Sequence, residues 1–202
     1  MPTVLDLRLD AAGHGPRQVL GAFDLHVDRG EVLAICGPSG VGKSTLLRII
    51  AGLHDDFRGI RQVTGRLAMV FQEPTLLPWR SALDNIRLLA GCSEDAALAH
   101  LAEVGLAGRG EDNPNRLSLG QQRRLALARA VAAQPDLLLL DEPFVSLDAE
   151  LVEDMMDLVA GLQRTHGFAT ILVTHAAAEA DRLAQRILRL EGSPATPQET
   201  DQ

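Results

Sequence analysis

The stretch Gly37-Pro38-Ser39-Gly40-Val41-Gly42-Lys43-Ser44-Thr45 follows a continuous apolar run, Val32 to Cys36, and opens Lys43 to Ala51, where apolar residues recur at helical spacing. A buried strand, a Gly-rich turn and a helix in that order form the setting that GxxxxGK[ST] requires of a phosphate loop. The glycines let backbone N–H groups turn inward around phosphate oxygens. The Lys43 ammonium can reach β- and γ-phosphates, and the Ser44 hydroxyl can complete a Mg²⁺ shell. The alternative is an ordinary Gly-rich strand-to-helix turn, which the combined pattern and setting argue against.

Outward from this loop, Val4 to Leu9 and Phe23 to Val27 alternate apolar and polar residues, as half-buried strands do. Leu67 to Phe71 is a further short apolar run. From Pro74 to about Gln134 the pattern is helical, over Leu83 to Ala90, Glu94 to Val104 and Gln121 to Ala133. Strand signals return at Asp136 to Leu140, Thr170 to Val173 and Ile187 to Leu190, alternating with a helix over Glu150 to Thr165 and another after His175. This alternation predicts an α/β fold with a mostly parallel sheet. Residues 1–192 read as one domain with a helical subdomain at about 75–134 inserted in it, and the polar, Pro-containing 193–202 as a disordered tail.

The chain has 202 residues, with 19 Lys and Arg against 27 Asp and Glu, a formal net charge of −8. That balance disfavours nucleic acid as a partner, because such proteins gather basic residues on one face. Cys36 and Cys92 are far apart in sequence and give neither a disulfide framework nor a zinc motif, as in a reducing compartment. No apolar run approaches the ~18 to 20 residues of a membrane span, and Asp6 and Asp10 interrupt the start where a signal peptide needs apolar residues. The expected location is cytoplasmic, with any membrane role supplied through a partner.

Leu137 to Leu140 delivers two adjacent carboxylates, Asp141 and Glu142, at the end of a buried strand. Alone they could be a solvated acidic turn. Beside a phosphate loop, Asp141 can hold Mg²⁺ through its water shell and Glu142 can act as general base on an attacking water. Leu117-Ser118-Leu119-Gly120-Gln121 precedes a strongly helical run. Two readings stand for Ser118: a helix cap, or part of an anion site formed by the hydroxyl and free N–H groups of a helix N-terminus. His175, taken singly, reads as a structural histidine.

Together these segments resemble the ATP-binding-cassette transporter ATPases over roughly residues 3 to 191. GPSGVGKST resembles the Walker A motif, LLLLDEP the Walker B motif with its catalytic Glu, and LSLGQQ the family signature. Gln72 matches the Q-loop, Ser146-Leu147-Asp148 the D-loop and His175 the switch histidine, all in family order. The resemblance implies a Mg²⁺-dependent ATPase in which two subunits, expected to be two copies of one chain, pair head to tail. Each ATP would lie between residues 37–45 of one subunit and Ser118, Gly120 and Gln121 of the other, beside Asp148. It further implies that Gln72 senses Mg²⁺ and the attacking water, and that His175 contacts the γ-phosphate. The metal set so implied is Ser44, Gln72 and Asp141.

Three departures from the family pattern stand out. Leu119 replaces the second Gly of the usual signature. The segment Leu53 to Arg66 is short, which implies a trimmed antiparallel β-subdomain. The chain has no Tyr, and the position of the family's adenine-stacking aromatic falls on His14. Phe71 to Ile86, with Pro78-Trp79-Arg80, is similar to the segment found in importer ATPases of the nitrate, sulfonate and taurine group. Trp79 is either an anchor for integral membrane permease subunits, contacted near Gln72 to Trp79, or local core. The implied function is energising an importer of a small solute, peripheral on the inner face of the cell membrane. A soluble ATP-gated dimeric scaffold or regulator is the alternative.

Overall fold

A computed structural model describes residues 2–15 and 17–200; the side chains of His14, Glu199 and Thr200 lie outside the description. The strands are β1 (Thr3–His14), β2 (Arg17–Leu20), β3 (Phe23–Asp28), β4 (Val32–Cys36), β5 (Phe57–Val63), β6 (Leu67–Val70), β7 (Leu137–Asp141), β8 (Ala169–Val173), β9 (Arg186–Gly192) and β10 (Ala195–Thr200). The helices are α1 (Lys43–Ala51), α2 (Ala82–Ala90), α3 (Glu94–Glu103), α4 (Leu119–Ala132), α5 (Ala149–His166) and α6 (Ala177–Leu183).

All described strands join one sheet in the order β3-β1-β2-β10-β9-β4-β8-β7-β6, with β5 added on β1. From β9 to β6 the neighbours are parallel. Strands β4, β7 and β8 are buried along their whole length, which is why they are nearly all apolar, Thr170 and the terminal Asp141 apart. Their side chains still alternate between faces. Leu137 and Leu139 join α1 in one core, while Leu138 and Leu140 join α4, α5 and the helical region in another. The α/β architecture expected from the sequence is confirmed.

Register decides where the chemistry gathers. Asp141 is paired with Val173, Val173 with Ile35, and Val70 with Leu140. The carboxyl ends of β4, β6, β7 and β8 therefore finish at nearly one level, the end at which open parallel sheets bind ligands.

Three segments differ from the sequence reading. Residues 193–200 are not a disordered tail: β10 forms a hairpin with β9, and Gly21 N–H donates to Ala195 C=O at 2.7 Å, with Ala195 fully buried. A polar composition hid this strand, whose partner is the backbone edge of β9 rather than an apolar face. Segment 53–66 contains β5, paired antiparallel with β1 from Val63 to Phe57; its apolar residues Phe57, Ile60 and Val63 recur every third position rather than every second, so no strand alternation shows. Strand β1 continues past Leu9 to His14 through register shifts, which lets it pair with β2, β3 and β5.

Candidate active site

The turn after β4 is shaped by its glycines. Gly37 has φ +149°, and a Cβ there would lie 2.6 Å from the carbonyl oxygen of Leu190 on β9. Gly42, at φ +118°, is the N-cap of α1, and a Cβ would come within 2.7 Å of Leu20 Cδ2. Any other residue would be strained at both positions and would displace neighbours. Helix α1 consequently starts without a side-chain cap and without an acid in its first turn, leaving its N–H groups and positive dipole end to an anion.

Lys43 is buried, and its ammonium donates to the carbonyl oxygens of Gly37 at 2.8 Å and Pro38 at 3.1 Å. Ser44 Oγ donates to Asp141 Oδ1 at 3.1 Å, joining the start of α1 to the end of β7. Burial pushes the Asp141 carboxyl above its ordinary pKa; the Ser44 hydrogen bond opposes this and the charge of Glu142 adds to it. The pair presents hard oxygen donors and an under-compensated negative charge, which fits Mg²⁺ completed by phosphate and water.

Glu142 follows β7 with φ +47°, an uncommon conformation for a side chain of this size. The turn is fixed by Glu142 N–H donating to Val173 C=O and by Arg123 of α4 donating to Pro143 C=O at 3.0 Å. Its carboxylate lies 3.9 Å from Lys43 Nζ and 3.5 Å from His175 Nδ1. Thr174, buried beside His175, accepts from Ala176 N–H and donates to Glu179. Sequence reading missed Thr174 and Arg123, since neither carries a motif and their role is to hold a turn.

A cleft of about 530 Å³ is lined by Ser39, Gly40, Gly42, Lys43, Ser44 and Thr45, by Gln72 and Glu142, and by Arg17 and Val19 of β2. It exceeds the crevice of about 210 Å³ beneath α5 and α6. Gln72 reaches the cleft because the chain beyond it is pinned. Arg129 donates to the carbonyls of Pro74 and Thr75, and the buried Asn85 amide bonds the backbone of Leu77, Arg80 and Ser81. Trp79, at the end of this loop, is 73% exposed, so it is not local core. Leu119 is also exposed.

Ser118, Gly120, Gln121 and Asp148 are absent from the cleft lining. Ser118 caps α4: its hydroxyl accepts from Gln121 N–H at 3.3 Å, and Gln121 Oε1 accepts from Ser118 N–H at 3.0 Å. Asp148 caps α5 by accepting from Leu151 N–H at 3.0 Å. The two helix starts are neighbours, since a Cβ on Gly120 would touch Leu151 at 3.6 Å. The side chain of His14, the expected adenine-stacking residue, lies outside the described residues.

A loop with exposed helix-start amides, a buried Lys, a Ser–Asp pair and a Glu–His pair, all at the carboxyl ends of parallel strands, is built to receive and cleave a polyphosphate. Residues 20–145 match the family described as ABC transporter. This chain belongs to that family. Within it, the chain is 43% identical over 204 residues to the aliphatic sulfonates import ATP-binding protein SsuB 2 of Burkholderia cenocepacia (strain HI2424), covering 96% of this chain and 76% of that protein. It is 46% identical over 200 residues to the aliphatic sulfonates import ATP-binding protein SsuB 1 of Rhodococcus jostii (strain RHA1), covering 94% and 82%. Among solved structures, the ATP-binding cassette MJ0796, described as a dimer in a post-hydrolysis state bound to ADP and Pi, superposes with a TM-score of 0.85 at 29% identity, covering 98% of both chains. A metal-chelate type ABC transporter in an inward-facing conformation shares the fold, with a TM-score of 0.86 at 24% identity over 99% of this chain and 84% of that one. The architecture is that of an ABC ATPase cassette.

Proposed function

We propose that this ABC cassette is the ATP-binding and ATP-hydrolysing subunit of an importer, and that its cargo belongs to the organic sulfonate class named for its relatives. The observation that carries the ATPase reading is the junction of α1 with β7 and β8, where Lys43, Ser44, Asp141, Glu142 and His175 converge within hydrogen-bond or ion-pair reach.

In the proposed reaction, backbone amides of residues 39–45 and Lys43 hold the triphosphate, replacing the contacts that Lys43 now makes to Gly37 and Pro38. Mg²⁺, held by Ser44, Gln72 and Asp141, would neutralise charge on the phosphates. Glu142 takes a proton from the attacking water, and its left-handed turn fixes the direction of its carboxylate. His175 orients Glu142 or contacts the γ-phosphate.

The exposed starts of α4 and α5 supply what one chain's cleft lacks. Ser118, Gly120, Gln121 and Asp148 point to a head-to-tail dimer in which they complete the site of a second subunit. Exposed Trp79 on a pinned loop is suited to permease subunits, which would hold the protein at the inner face of the membrane. No helix among the described residues is long and apolar enough to cross a membrane. The import names of the relatives favour transport over a soluble scaffold. The test is phosphate release from Mg-ATP by the purified chain, with co-purification from detergent-solubilised membranes. An ATPase that captures an integral membrane protein is expected, and an inactive chain or an exclusively soluble complex would sink the reading.

A further inference from the structure

Arg17 opens β2, and Val19, two residues on, faces the phosphate loop: a Cβ on Gly42 would lie 2.9 Å from Val19 Cγ1. Side chains two apart in a strand share a face, so Arg17 is directed to the same side, and both line the cleft. The other cleft cation, Lys43, is buried and committed to loop carbonyls and Glu142. Arg17 is exposed, and its side chain has no hydrogen bond or ion pair among the described residues, so all five guanidinium donors and both faces of the plane are available.

The place of Arg17 fixes what it can meet. Glu142 and Gln72 mark the end of the cleft where the terminal phosphate is attacked, and Lys43, Ser44 and Thr45 hold the phosphates. The wall contributed by β2 is left for the nucleoside, with Val19 as its apolar floor and Arg17 at its rim. A guanidinium plane stacks on any purine face, and its charge and donors reach ribose oxygens as well.

We propose that Arg17 is a nucleotide-contacting residue of this cassette, laying its guanidinium on the adenine and ribose of bound ATP. The proposal rests on the ATPase reading. It assigns affinity for the nucleoside to a residue outside the motifs, while the motifs account for the phosphates.

The test is calorimetric titration of the full chain with ATP and, separately, with inorganic triphosphate. R17A is expected to raise the Kd for ATP about fivefold while leaving the Kd for inorganic triphosphate unchanged. R17K, which keeps the charge but not the plane, is expected to behave like R17A. Lys43→Ala should weaken both ligands. Unaltered ATP affinity in R17A, equal loss for ATP and inorganic triphosphate, or full recovery in R17K would each overturn the proposal. A wild-type chain that binds neither ligand would instead overturn the ATPase reading itself. Because Arg17 is exposed and unpaired, R17A should keep the wild-type melting temperature, so a binding loss can be assigned to contact rather than to folding.

Discussion

His175 Nδ1 lies 3.5 Å from Glu142 Oε2 although 33 positions separate the two residues in sequence. The contact follows from the pairing of Asp141 with Val173, which sets the turns after β7 and β8 side by side. Glu142 is thereby held between a histidine and Lys43.

Glu142→Gln removes the proton acceptor and keeps the shape. Phosphate release is expected to fall by at least ~10²-fold, the usual contribution of a general base. ATP binding should persist through the loop amides and Lys43, and a dimer should accumulate with ATP because bound ligand favours the closed form. Single-turnover phosphate release and size-exclusion chromatography with ATP check both parts. Near-normal turnover would remove Glu142 from this role.

Asp141→Asn should stabilise the nucleotide-free chain at neutral pH. Burial raises the Asp141 pKa above 3.8, so from that value up to the raised one the folded chain binds more protons than the unfolded chain. Stability contributed here falls as pH rises through that window and stays lower above it. Thermal melts from about pH 4 to about pH 8 should show the Asn variant gaining on the wild type as pH rises, with Mg²⁺-dependent turnover lost. A constant difference across the range would contradict this assignment.

Ser118 has two separable roles. Ser118→Ala deletes the cap on α4 and should cost ~1 kcal/mol, read as a lower melting temperature. Ser118→Arg should keep ATP binding by the monomer and suppress hydrolysis, because the defect falls on the site of the opposite subunit. Loss of monomer affinity as severe as in Lys43→Ala would contradict the in-trans role.

Trp79 and Asn85 make a contrasting pair. Trp79→Ala should leave the melting temperature and basal ATPase activity unchanged, since the ring is exposed, and should weaken assembly with the permease by ~2 kcal/mol or more. Asn85→Ala removes a fully buried amide bonded to the backbone of the same loop and should destabilise the isolated chain by about 1–3 kcal/mol. Denaturant unfolding and permease pull-down measure the two effects.

Much of the α/β core was legible because β4, β7 and β8 are buried on both faces and are therefore written almost entirely in apolar residues. Strands β5 and β10 were not: β5 is paired on one side only and is largely exposed, and β10, between β2 and β9, is held by backbone pairing with a mostly polar sequence, so neither carries an apolar pattern. Of the site, Lys43, Ser44, Asp141 and Glu142 announce themselves because their chemistry demands those residue types at a fixed distance from a strand end. Arg17, Thr174 and Arg123 announce nothing: an Arg at the start of a short strand, a buried Thr and a helical Arg are each ordinary in sequence, and only their neighbours give them a role.

The sequence by itself determined the phosphate loop, the carboxylate pair and the alternation of strands and helices, since spacing along the chain is enough to state them. Only the tertiary structure decided that Glu142 meets His175, that Trp79 faces solvent and that Ser118 lies outside its own chain's cleft. Register between β7 and β8, burial against α4 and the polar pins on the loop after β6 are relations between distant segments, and a local pattern of residues does not contain them.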